Sequence, residues 1–115
     1  MECVNTKILN EHLAREDAHE RELEMQEEMR ARARAALIAG GRWHTGRRWL
    51  NMDDVYEQMW QNDDTAALFM EALKTAESDP IESARYLREC RDLAVEHVLD
   101  LVDWEEALKD SREGA

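Results

Sequence analysis

Hydrophobic positions recur along this chain at helical spacing, and no window shows sustained strand alternation. Met52, Val55, Tyr56, Met59 and Trp60 stand at i, i+3, i+4, i+7 and i+8, one helical face. They follow Asn51, whose side chain caps free amides, and Asp54 sits in the first turn, where a carboxylate meets the positive end of the dipole. A next helix, starting at Asp63 or Asp64, places Ala66, Phe69, Met70, Leu73 and Ala76 on one side and ends at Ser78-Asp79-Pro80. Asp79-Pro80-Ile81-Glu82 then reads as a strong start: aspartate caps, proline occupies the first turn, and Glu82 reaches back as in a capping box. From there the pattern predicts one helix to about Ser111, whose apolar residues fill an arc of about 200°. So wide an arc suits a central helix touched by several neighbours, or one whose second face meets another subunit.

The first helix, predicted from about Thr6 to Ala39 and stopped by Gly40-Gly41, is different. Its apolar residues are sparse between Ala14 and Glu22 and hold no heptad. A helix of this length with so weak a stripe projects, pairs with a partner or breaks. If it projects, too little chain remains for a self-sufficient core. The expectation is therefore an all-α chain of about four helices, long at both ends with two short ones between, forming a homodimeric helical bundle. In one domain spanning 1–115, residues 1–39 form the long charged helix, 40–50 a basic Gly/Arg/Trp loop and 51–115 a three-helix core.

Composition supports helix: 115 residues hold one proline and four glycines. It also excludes a membrane span and shows no secretory leader. Cys3 and Cys90 form no zinc pattern and read as cytosolic thiols, which gives a cytoplasmic expectation. The net charge of −12 argues against general binding to DNA or anionic lipid.

That charge is laid out in blocks. Residues 1–29 carry a net −6, residues 30–48 carry six arginines and no acid, and residues 49–115 carry a net −12. No Lys or Arg occurs between Trp49 and Leu73, which include Asp53, Asp54, Glu57, Asp63, Asp64 and Glu71. None occurs between Asp92 and Leu108 either, where Asp92, Glu96, Asp100, Asp103 and Glu106 share one side of the predicted helix. The charge density there is about one per 3.5 Å of axis, close to that of a DNA strand. An ordinary solvent-facing helix side accounts for the acids, but such a side normally mixes signs.

Two functional readings follow. In the first, the chain is a non-enzymatic acidic protein that engages a basic site on a partner protein. Its sharpest form is a nucleic-acid mimic that inhibits a DNA- or RNA-handling enzyme. Asp92, Glu96, Asp100, Asp103 and Glu106 would carry the contact, with Asp53, Asp54 and Glu57 second. The composition resembles that of small acidic helical proteins of phages and mobile elements that occupy DNA-binding sites on enzymes, with no motif behind the likeness. In the second reading Arg42, Trp43, Arg47, Arg48 and Trp49 form a local nucleic-acid contact, arginine forks on phosphate and tryptophan stacked on a base. The plainer alternative makes the tryptophans loop anchors and the arginines partners of the chain's own acids.

Catalytic patterns are few. Glu16 and His19 form one Glu-x-x-His, half of what a di-iron bundle needs. Glu24/Glu27 and Asp100/Asp103 raise a Mg²⁺-dependent nucleotide hydrolase as a third reading, but such spacings arise by chance among 27 acids. No phosphate loop or nucleophile setting appears, and no cofactor or metal is called for. The helices flanking Gln61-Asn62-Asp63 have a helix-turn-helix outline, yet the second offers only Lys74 to phosphate. On the mimic reading, Asp100→Asn with Asp103→Asn weakens a partner complex and leaves the fold intact; titration calorimetry and circular dichroism check the two halves.

Overall fold

The computed structural model describes the backbone from Glu2 to Glu113 and side chains from Arg15 to Arg112. Its elements are α1 (Glu2–Ile38), β1 (Trp43–His44), β2 (Trp49–Leu50), α2 (Met52–Gln61), α3 (Asp63–Thr75), α4 (Pro80–Asp100) and α5 (Trp104–Glu113). The chain is thus mostly helical, but with five helices among the described residues rather than about four, and with a two-stranded antiparallel hairpin where a plain loop was expected.

The predicted starts hold. Asn51 caps α2, its side chain accepting the amides of Asp53 and Asp54, while the Asp54 carboxylate accepts the Asn51 amide. Asp79 caps α4 by accepting the Glu82 amide at 3.1 Å. The Glu82 side chain instead turns to Arg85, so this end lacks the reciprocal bond of a capping box. At the end of α1, Gly40 adopts φ +79, its amide donates to Leu37 and the Gly41 amide donates to Ala36. That pair of bonds satisfies carbonyls left free by the helix end.

The single last helix to Ser111 is corrected to two. Leu101 and Val102 donate to Val98 and Leu99, tightening the end of α4, and Asp103 begins again by accepting the Glu106 amide at 3.1 Å. The Trp104 indole N–H reaches back to the Leu99 carbonyl at 3.0 Å. The break is therefore capped on both sides and leaves no orphaned backbone group at that carbonyl.

Helix α4 is the hub. α2 and α3 pack on it and on each other, while α1 packs on it and on α5. The core joins Ala33 and Leu37 of α1, Leu50, Val55 and the α4 residues Ala94, Val95, Val98 and Leu99, with Trp43, Met59 and Trp104 half-buried around them. Residues 15–25 of α1 are exposed all round. With α1 running on past the other helices, the principal extents are 77 × 30 × 21 Å and the radius of gyration 20.6 Å, against about 13 Å for a globule of this length. No described helix is long and apolar enough to cross a membrane.

The hairpin turn fixes how the middle segment meets α5. Gly46 holds φ +103, and a Cβ built there falls 2.7 Å from the Asp110 Cβ. Gly46→Ala thus combines left-handed strain with a clash and is expected to cost about 2 kcal/mol, read as a lowered midpoint in urea unfolding.

Candidate functional site

The carboxylates expected to form one outward ribbon are instead held by the chain's own arginines. Glu96 is gripped by Arg30 at 3.0 Å and by both the Nε and a terminal nitrogen of Arg34. Arg30 also binds Asp100 at 2.7 Å. Arg47, carried on the hairpin turn, binds Glu106 and, at 2.6 Å, Asp110. Asp92 pairs with its neighbour Arg91 at 2.9 Å, and Asp103 is occupied as the cap of α5. These acids also belong to two helices with a break between them. The continuous display of uncompensated charge is therefore overturned. Asp100 and Asp103 both carry structural bonds, so replacing them does not leave the fold untouched.

Glu96 shows the electrostatic consequence. The Arg34 hydrogen bonds, then those of Arg30, hold its carboxyl below the usual carboxylate range despite partial burial. The arginines of the last turns of α1 thus serve as counter-ions that fasten α1 to α4.

The basic-loop candidates divide. Trp43 is half-buried, with its ring 5.8 Å from Trp104, and acts as a core anchor. Arg47 is committed to α5, and Arg48 lies 3.8 Å from Asp54 of α2. Arg42 and Trp49 remain exposed: the guanidinium sits 4.3 Å over the indole, and His44 meets the ring edge-on at 4.8 Å.

The surface of α2 and α3 is where the expectation reverses most. The sequence marks Tyr56 and Trp60 as part of the inward face of α2, yet only Val55 is buried there and Met52 and Met59 half-buried. The face of α3 expected to be core also turns outward. The residues buried in α3 are Thr65 and Ala72. Thr65 Oγ1 donates within the α2–α3 corner, Ser83 Oγ of α4 donates to the Ala72 carbonyl at 2.7 Å, and Cys90 Sγ lies 3.3 Å from the Thr65 carbonyl. Small side chains thus let α3 and α4 approach closely, and the larger residues are left outside.

The result is an apolar patch. Trp60 is 66% exposed, Leu73 58%, Met70 53% and Tyr56 51%, and Trp60 joins α2 to α3 through an edge contact with Phe69 at 4.9 Å. Monomeric proteins seldom leave several large apolar side chains together in water without an interaction to make. Around it stand Asp53, Glu57 and Asp63, none of which has a cation within ion-pair distance among the described residues. Asp64 meets His97 at 3.0 Å and accepts the Thr65 amide, and Lys74 is engaged by Glu71.

Burial, and secondarily the charge of Asp64, push the Cys90 thiol up, away from the reactive thiolate. A cleft of about 480 Å³ between α1 and α5 is lined by Glu22, Asp103, Glu106, Lys109 and Arg112, among others. Among the described residues no three His, Cys, Asp or Glu side chains converge as metal ligands. Cys3 lies outside the described side chains. No family model, curated protein or solved structure matches the chain.

Because Glu96 binds its proton less readily when folded than when unfolded, its contribution to stability is present above the unfolded carboxylate value of about 4.3 and is lost as pH falls through the lower folded value. Wild-type stability is expected to decline below about pH 5. Glu96→Gln should be less stable at neutral pH and show a shallower acid limb, measured by urea unfolding from pH 3 to 7.

Proposed function

We propose that this chain is a non-enzymatic binding protein that engages a basic partner protein through the outer face of α2 and α3. One observation supports it above others: exposed Tyr56, Trp60, Met70 and Leu73 lie near Asp53, Glu57 and Asp63, which no cation among the described residues neutralises, while Asp92, Glu96, Asp100 and Glu106 are internally paired. An apolar centre with a charged rim is the anatomy of a protein interface. The acidic rim steers a cationic partner and the aromatic centre holds it. The reading keeps the basic-partner idea and moves it from Asp92, Glu96, Asp100, Asp103 and Glu106 to Asp53, Glu57 and Asp63. The nucleic-acid-mimic form loses its footing, since its carboxylates are already clasped. A cytoplasmic setting fits a free buried thiol such as Cys90.

A second reading rests on the Arg42–Trp49 stack, an exposed cation and ring that suit a nucleobase or phosphate. It has fewer groups, since Arg47 and Arg48 face acids of the same chain.

Parallel affinity capture from the native cell extract separates the two. A partner of the α2–α3 face is held by wild type and released by salt. Asp53→Asn/Glu57→Gln/Asp63→Asn should lose it by about tenfold or more, while Asp92→Asn/Glu105→Gln retains it. Retention by the triple variant overturns the reading; loss with Arg42→Ala/Trp49→Ala instead supports nucleic-acid contact.

A further inference from the structure

We infer that the occupant of this face is one amphipathic α-helix with basic flanks, laid along the outward stripe of α3 with its apolar side against Trp60, Phe69 and Leu73. The inference rests on the reading just proposed and specifies its partner. Three features favour it. Phe69, Met70 and Leu73 are spaced by the helical repeat, so they form a ridge that fits between the side chains of a second helix. The receiving surface is all helix, whose backbone groups bond internally and offer no edge for an added strand; the adjoining hairpin strands β1 and β2 are two residues each. The rim selects charge: Asp53, Glu57 and Asp63 have no cation partner among the described residues, and Lys74 is engaged by Glu71. A second copy of this chain paired face to face would set like against like, bringing another set of these carboxylates to the same seam, which favours a basic partner over self-pairing of this face.

The receiving helix has 13 residues, about 20 Å, so a partner of about 18 residues spans it with one turn to spare. The test uses two synthetic peptides of about that length made of Leu and Lys only. In one the leucines form a helical stripe; in the other the same residues are scrambled so that no stripe forms. Fluorescence anisotropy with the full chain at low salt should find the striped peptide bound at least about tenfold more tightly, with helicity gained on binding by circular dichroism. Leu73→Asp and, separately, Met70→Glu should each weaken it by about tenfold. Both positions are exposed, so the fold survives. Equal binding of both peptides overturns the helical occupant while leaving the basic-partner reading standing. No binding of either overturns both. Concentration-dependent self-association in sedimentation, abolished by Leu73→Asp, also overturns it, because the occupant is then a second copy.

Discussion

A seam of small residues governs this molecule. Thr65 and Ala72 of α3 meet Ser83 and Cys90 of α4, with hydrogen bonds from the Ser83 hydroxyl and the Cys90 thiol to carbonyls across the seam. Close approach satisfies those groups and excludes water without large side chains. Once α3 is fixed in that rotation, helical periodicity leaves Met70 and Leu73 no place but the surface. The same placement brings Phe69 against Trp60 and so draws α2 into one outer face with α3. A surface that a designer would avoid is thus the geometric result of how the inner faces fit.

Electrostatics divides the fold along complementary lines. The arginines of residues 30–48 are not a separate positive island; Arg30, Arg34 and Arg47 reach carboxylates some sixty residues later in the chain. They tie α1 to α4 and the hairpin to α5. The pairs are partly exposed, so each adds little by itself, and their effect is to set register and to cancel charge. Because that cancellation is local, Asp53, Glu57 and Asp63 of α2 and α3 keep no cation partner among the described residues. The whole-chain charge of −12 therefore understates how uneven the surface is.

Much of the backbone was legible in the sequence because its signals are local. Asn51, Asp79-Pro80 and Gly40-Gly41 mark ends by side-chain or conformational preference that needs no tertiary partner. The break before α5 was missed because no Gly or Pro announces it. Asp103, three residues before Glu106, is the cap-and-acid pattern that could have revealed it. The outer face of α2 and α3 differs from the sequence expectation for a deeper reason. Hydrophobicity nominated Phe69, Met70, Leu73, Tyr56 and Trp60 as core. The inward side of α3 is instead a quieter stripe of Thr65, Leu68, Ala72 and Thr75, in which Leu68 alone is large. Which stripe is inside depends on the partner helix, and that is not written in either segment. Likewise the blocks of charge were visible, but pairing between distant blocks is a property of the fold. That the chain is helical with α4 at its centre was readable; which of its carboxylates meet solvent alone was not.

The extended first helix has a hydrodynamic consequence. A radius of gyration of 20.6 Å belongs to a compact protein of about three times as many residues. A single copy thus tumbles slowly and anisotropically, and it leaves a sizing column early, where a compact oligomer would elute. Stoichiometry for such a rod-bearing molecule is properly weighed, by light scattering or sedimentation equilibrium, rather than inferred from its drag.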